Sequence, residues 1–159
     1  MIIFPNRKNF YLIIFFISLI SIISALYIEY ILQYQPCELC IYQRLPYIAA
    51  IFTSFVGFNY STNDKILIIL IMIFALSAII SGYHFGIENN LFDEISACVN
   101  DSLDISNKSK LLESLNQSMP VNCKDATFKI LGVSLAAINT ILSVLIVIFS
   151  IRTLTYEKD

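Results

Sequence analysis

Charged residues are absent from four long stretches of the sequence, and the polar residues collect between these stretches. The uncharged stretches are residues 11–28, 45–63, 66–87 and 130–151, with lengths of 18, 19, 22 and 22 residues. A helix of about 20 apolar residues spans the hydrocarbon core of a bilayer, which is about 30 Å thick. None of the stretches alternates apolar and polar residues with a period of two, as a strand of a membrane barrel would. The pattern predicts an all-α membrane protein with a bundle of four transmembrane helices.

The composition supports this class and excludes others. Hydrophobic residues make up 57% of the 159 residues and charged residues 14%, whereas a soluble domain has about 45–50% apolar and about 25% charged residues. A soluble bundle would need more polar surface than this chain offers. The ten Lys and Arg residues form no cluster, so we expect no nucleic-acid partner. We place the spans approximately at 10–33, 42–60, 66–87 and 129–151, in one integral-membrane domain that covers 1–159.

Cations near the span ends predict the orientation in the membrane. Arg7 and Lys8 precede the first span, which is longer than the apolar core of a signal peptide and is therefore interpreted as retained. Lys65 lies between the second and third spans, and Arg152 and Lys158 follow the fourth. With four spans all five cations lie on one side, which the positive-inside rule makes the cytoplasm. Both termini are expected there, with a short outer loop at 34–41 and a long outer loop at 88–128.

All four cysteines fall in the two outer loops, with Cys37 and Cys40 in the first and Cys98 and Cys123 in the second. Thiols on the oxidising face of a membrane form or exchange disulfides, and four cysteines permit three pairings. A disulfide between Cys98 and Cys123 would be a loop staple worth about 3–4 kcal/mol on the chain-entropy model. The alternative is a pair that exchanges with an external substrate.

The second outer loop also contains a candidate amphipathic helix at residues 108–119. Its apolar face would consist of Leu111, Leu112, Leu115 and Met119. Such a helix would lie on the membrane surface or pack against its own loop, and the pattern leaves both open.

The motif Cys37-Glu-Leu-Cys40 is compatible with three chemistries. A zinc site needs further ligands, but 24 residues separate Cys98 from Cys123, and the one histidine, His84, is predicted at the end of the third span. A structural disulfide across so short a loop removes little unfolded-chain entropy. A redox-active dithiol is favoured, because Cys40 is predicted near the start of a helix and Arg44 one turn later, where its thiolate would be stabilised.

The stretch Pro36-Cys-Glu-Leu-Cys-Ile-Tyr-Gln-Arg-Leu-Pro-Tyr47 resembles the signature of the disulfide bond formation protein B (DsbB) family. Members of that family are inner-membrane thiol:quinone oxidoreductases. Similarity continues through Gly82-Tyr-His-Phe-Gly-Ile-Glu88 before Cys98, and through Cys123-Lys-Asp-Ala, Gly132-Val-Ser and Asn139. The resemblance covers nearly the whole chain, and it implies a protein of the bacterial inner membrane with periplasmic cysteines.

The resemblance also implies an electron relay. A reduced periplasmic partner, a DsbA-type thioredoxin-fold thiol oxidase, would attack Cys98 and release Cys123, which would then exchange with Cys37. Cys40 would pass the electrons to a bound quinone of the membrane pool, ubiquinone or menaquinone. Arg44 would hold the thiolate and the quinone together, and His84 is a candidate quinone contact. The partner's potential is high, about −120 mV, so a strong terminal oxidant such as a quinone is needed to reoxidise it.

Several alternatives stay open at this level. The protein would be a quinone-linked relative of the vitamin K epoxide reductase type, a conduit for reductant that runs in the opposite direction, or a non-enzymatic membrane protein with structural disulfides. Glu29, near the outer end of the first span, is interpreted as a carboxylate that reaches the interface. Tyr47 is interpreted as an interfacial aromatic residue.

Overall fold

The computed structural model describes residues 6–92, 129–130 and 133–156. The elements are α1 (Arg7–Tyr30), α2 (Glu38–Tyr42), α3 (Arg44–Asn59), α4 (Asp64–Glu88), β1 (Lys129–Ile130), β2 (Val133–Ser134) and α5 (Leu135–Tyr156). Within these ranges four segments are long and apolar enough to cross a membrane, with α2 and α3 together forming the second. The predicted all-α membrane class with four spans is confirmed. The predicted loop over 88–128, its helix at 108–119, Cys98 and Cys123 lie outside the described residues, apart from the loop's first few residues.

Helices α4 and α5 begin where a side chain satisfies a free backbone N–H group. Asn63 accepts a hydrogen bond from the backbone of Lys65 at 3.1 Å and caps α4. Ser134 accepts from the backbone of Ala137 at 3.2 Å at the start of α5. We predicted the fourth span from residue 129, but residues 129–130 and 133–134 pair as a short antiparallel hairpin and α5 starts at Leu135. A polar cap, which the length of an apolar run does not reveal, sets this boundary.

The bundle consists of two helix pairs, α1 with α3 and α4 with α5, joined by contacts between α3 and α4. Large side chains fill the centre, where Tyr11, Leu67 and Phe74 are fully buried. Small residues let the helices approach closely, as is common in membrane proteins. Gly57 contacts the Tyr11 ring so closely that an added Cβ would lie 2.5 Å from a ring carbon. Ser143 donates to Ser77 at 3.0 Å and links α5 to α4.

The two ends of the bundle differ in their chemistry. At the end where α1 and α4 begin, the buried Arg7 forms an ion pair with Asp64 at 2.7 Å. The other end holds the start of α2 and the end of α4, and with them Cys37, Cys40 and His84. The sides between these ends expose large apolar residues, such as Phe52 and Ile79, as a surface that faces lipid does. Candidate chemistry is therefore concentrated at one end of the spans.

Candidate functional site

Cys37 and Cys40 lie in different environments although they are three residues apart. Cys37 is the N-cap residue of α2, and its Sγ accepts a hydrogen bond from the backbone N–H of Cys40 at 3.2 Å. Cys37 is fully buried, whereas Cys40 is partly exposed. Both are free thiols in the structure. Cys37 thus occupies the N-cap position of α2. Cys40, which we expected near the start of a helix, lies inside the first turn of α2.

His84, near the end of α4, lies against Cys37. Its Nε2 is 3.7 Å from the Cys37 Sγ, and the ring is buried. Nε2 is also 3.7 Å from Oε1 of Glu88, which is one turn further along α4. The sequence placed His84 at the end of the third span, and the structure adds that this end packs over the CxxC motif. At this distance the imidazole can form a hydrogen bond with the Cys37 sulfur, and the ring tautomer decides its direction.

A chain of polar side chains orients the His84 ring from its other side. Nδ1 lies 2.9 Å from Nε2 of Gln43. Asn139 of α5 donates to Oε1 of Gln43 at 3.1 Å, and the Tyr47 hydroxyl donates to Oδ1 of Asn139. With these amide orientations Gln43 donates to Nδ1, so the neutral ring carries its proton on Nε2, directed at Cys37 and Glu88. The interpretation of Tyr47 as an interfacial aromatic is wrong, since its side chain is buried inside the bundle.

Arg44 forms an ion pair that was not predicted. Its Nη1 lies 2.5 Å from Oε2 of Glu29 on α1, and the exposed fractions of the two side chains are 20% and 24%. Both charges lie at the end of an apolar span, where ionisable residues usually pair with each other. The sequence could have indicated this ion pair, because Glu29 and Arg44 are both predicted at the outer ends of spans and have opposite charges. Arg44 therefore has a resting counter-ion besides any thiolate nearby.

A pocket of about 340 Å³ joins these groups. Arg44, Glu29, Cys40 and His84 line it, whereas Cys37 does not. Most of its remaining wall is apolar and comes from α1 and α5, including Ile20, Ala25, Ile28, Ile138 and Leu142. Small-molecule sites are typically apolar pockets of this size with a few polar groups that orient the ligand. Of the two thiols that the structure describes, Cys40 is thus the one that a bound molecule would meet.

Four membrane-spanning helices with a thiol pair beside an apolar pocket define a membrane protein suited to thiol redox chemistry. The sequence profile of a family described as disulfide bond formation protein DsbB matches residues 7–153. The chain belongs to the DsbB family, whose role is disulfide bond formation and whose members are generally thiol:quinone oxidoreductases. The match favours this family over the vitamin K epoxide reductase alternative.

Two individual proteins are similar to this chain, and one of them carries the family's name. A protein of Rickettsia prowazekii (strain Madrid E), described as uncharacterized, is 32% identical over 93% of this chain and 88% of its own length. A protein of Psychromonas ingrahamii named disulfide bond formation protein B is 28% identical over 36% of this chain and 31% of its own. No solved structure matches the chain significantly.

Proposed function

We propose that the protein oxidises the dithiol of a DsbA-type periplasmic thioredoxin-fold protein and passes the electrons to a membrane quinone, so that disulfides form de novo. It would do so in the bacterial inner membrane, with both termini in the cytoplasm and the cysteines in the periplasm. The observation that carries the proposal is the position of Cys40. This thiol lines the apolar pocket together with Arg44, while its partner Cys37 is buried against His84.

The residues of the pocket fit a quinone. Its apolar walls suit a lipid-soluble ring, and Arg44 supplies N–H donors for a carbonyl oxygen. A quinone, when bound, accepts two electrons and two protons for each dithiol that is oxidised. The pocket lies within the membrane-spanning part of the chain, so a molecule dissolved in lipid has a short path to it.

The remaining residues have roles that follow from their contacts. Cys40 supplies the sulfur that faces the acceptor. Cys37 forms the disulfide bond with Cys40, and the two electrons and two thiol protons that this oxidation releases go to the acceptor. Cys37 reacts as its thiolate, which the Nε2–H of His84 and the backbone N–H of Cys40 would stabilise as hydrogen-bond donors. Arg44 must move part of its hydrogen bonding from Glu29 to the pocket when negative charge develops there. Disulfide exchange between Cys98, Cys123 and Cys37 would bring the electrons from the partner.

The test combines the purified protein with a reduced thioredoxin-fold partner and a soluble quinone analogue. We expect quinone absorbance to fall as partner thiols disappear, with one quinone reduced for each disulfide made. Cys40→Ser should stop quinone reduction, and Cys98→Ser should stop partner oxidation. Tyr42→Phe, an exposed position in the same short helix as Cys40, is the control and should keep the activity. No loss of quinone with the unaltered protein would contradict the proposal.

A further inference from the structure

The buried end of the CxxC motif brings together four groups that can bind a metal ion. The Sγ atoms of Cys37 and Cys40 and a ring nitrogen of His84 all lie within 4.8 Å of one another. Glu88 approaches the same ring nitrogen, with Oε1 at 3.7 Å from Nε2. Two thiols, an imidazole and a carboxylate are ligand types of four-coordinate zinc. The sequence alone disfavoured zinc because it did not show that His84 packs over the motif.

The Glu88 carboxylate gives an independent reason to expect a cation. Its Oε2 is buried and finds no hydrogen-bond partner among the described residues. A buried carboxylate oxygen that is left unpaired costs free energy, and buried charges are usually paired or coordinate metals. An ion held by the thiols and His84 would lie next to this carboxylate.

We propose that the reduced Cys37–Cys40 dithiol, His84 and Glu88 bind one soft divalent cation of the zinc and cadmium type. Binding displaces the thiol protons and changes no oxidation state. Zinc bonds are about 2.3 Å to sulfur and about 2.0 Å to nitrogen, so a tetrahedral ion separates these two ligands by about 3.6 Å. The Cys37 Sγ and His84 Nε2 are 3.7 Å apart. Small movements of the Cys40 and Glu88 side chains complete the site.

The polar chain behind His84 accommodates a bound ion. A ring that binds metal through Nε2 carries its proton on Nδ1 and needs an acceptor there. Gln43 supplies one when its amide turns so that Oε1 faces Nδ1. Asn139 then turns in the same sense and donates to the Tyr47 hydroxyl, which can accept as well as donate. Every hydrogen bond of the chain is kept with its direction reversed.

A bound ion has a consequence for turnover, and this part rests on the proposed function. Thiolates held by the ion cannot form the Cys37–Cys40 disulfide or pass electrons to the pocket. Zinc at the periplasmic face would therefore hold the protein in its reduced form, as a reversible inhibitor that acts only after electrons have entered.

The binding test uses the full-length chain with Cys98→Ser and Cys123→Ser, so that Cys37 and Cys40 are its remaining thiols. The protein is reduced with a phosphine, freed of reductant under anaerobic conditions, and titrated with Cd²⁺. Bonds from cadmium to thiolates produce an ultraviolet charge-transfer band, and Zn²⁺ then competes for the site. We expect one ion per chain, and X-ray absorption of the zinc form should show two sulfur and two nitrogen or oxygen ligands.

Variants separate this site from simple chelation by two neighbouring thiols. His84→Ala and Glu88→Gln should each weaken Cd²⁺ binding by about tenfold or more. Glu38→Gln removes a carboxylate from within the CxxC motif and, as the matched control, should leave the affinity within about twofold of the parent. His84→Gln replaces His84→Ala if the smaller side chain prevents folding. Equal affinities in all variants, or binding without nitrogen or oxygen ligands, would overturn the proposal.

Quinone reduction by the protein with all four cysteines, measured without added metal, distinguishes the two proposals. Metal binding without quinone reduction would support the metal site and reject the proposed function. Quinone reduction without metal binding would support the proposed function and reject the metal site. Where both hold, Zn²⁺ should inhibit turnover of the unaltered protein, and Glu88→Gln should need about tenfold more Zn²⁺ for the same inhibition.

Discussion

Removal of the Asn139 amide is expected to change the tautomer of His84 at a distance. Asn139 is the link between Tyr47 and Gln43, and Gln43 contacts the ring. Asn139→Leu has a similar size but can neither accept from Tyr47 nor donate to Gln43. The Gln43 amide then loses the contact that sets its orientation, so Nδ1 of His84 meets an N–H donor or a carbonyl oxygen with similar probability. We expect a single tautomer in the parent and a mixture in the variant.

The stability cost of the same change can be worked from the bonds it removes. Hydrogen bonds between membrane helices contribute about 0.6 kcal/mol on average and at most about 1.7 kcal/mol. Asn139→Leu removes two, to Tyr47 and to Gln43. The expected loss in the free energy of unfolding is therefore about 1–3 kcal/mol. Asn59→Leu makes the same substitution at an exposed asparagine, whose amide donates to the backbone of Phe55 on its own helix and has no hydrogen bond to another helix in the described part of the chain. The free energy of unfolding should fall much less in this control.

The chain suits this experiment because it contains one histidine. Histidine labelled with ¹⁵N gives signals from His84 alone, and the shifts of its two ring nitrogens report which one carries the proton. At a pH where the ring is neutral, the parent should show a protonated Nε2 and an unprotonated Nδ1. Unfolding in detergent, followed by circular dichroism, measures the stability. If the two nitrogen shifts were the same in the parent and in Asn139→Leu, the hydrogen bonds from Tyr47 through Asn139 and Gln43 would not set the His84 tautomer. That result would refute the reasoning whatever happened to stability.

Three further predictions concern the pocket and the packing beneath it. Arg44→Ala should raise the KM for quinone about tenfold or more, since a hydrogen bond to a charged group contributes about 1.5–3 kcal/mol; an unchanged KM would contradict the role of Arg44. Glu29→Gln should lower that KM about fivefold, because a neutral amide holds Arg44 about 1 kcal/mol less tightly than a carboxylate does; a higher KM would instead make Glu29 a residue that positions Arg44. Gly57→Ala should destabilise the protein by about 1–3 kcal/mol, because the new Cβ meets the buried Tyr11 ring. Gly82→Ala, whose nearest new neighbour would be Thr140 at 3.8 Å, is its control in the same unfolding measurement.

Much of the fold followed from hydropathy, and the reason is physical. A bilayer requires about 20 consecutive apolar residues in each helix, so the number of spans can be counted directly. The CxxC motif could likewise be placed at the end of a span. What hydropathy does not contain is the rotation of each helix, because side chains that face lipid and side chains that face the core are both apolar. Tyr47 was assigned to the interface for this reason, although its hydroxyl bonds to Asn139 inside the bundle.

The contacts of the site are also long-range in sequence. His84 and Cys37 are 47 residues apart, and Asn139 and Gln43 are 96 residues apart. Which of them meet depends on how α4 and α5 pack against α3, and local propensity has no influence on that packing. A stronger signal existed for Glu29 and Arg44. Two opposite charges at the ends of adjacent spans need partners in a medium of low dielectric constant, and each is the other's nearest choice.

Under the proposed function, the unequal surroundings of the two sulfur atoms give them different roles. A thiol that lines an open apolar pocket can meet a lipid-soluble acceptor, and Cys40 has that position. A sulfur that is fully buried beside an imidazole N–H cannot meet such an acceptor, but as a thiolate it can attack the sulfur next to it, and Cys37 has that position. If the two environments were exchanged, the attacking sulfur would lie in the pocket, and the sulfur that must contact the acceptor would be buried. In the proposed function the asymmetry therefore assigns Cys40 to the contact with the acceptor and Cys37 to the attack that forms the disulfide.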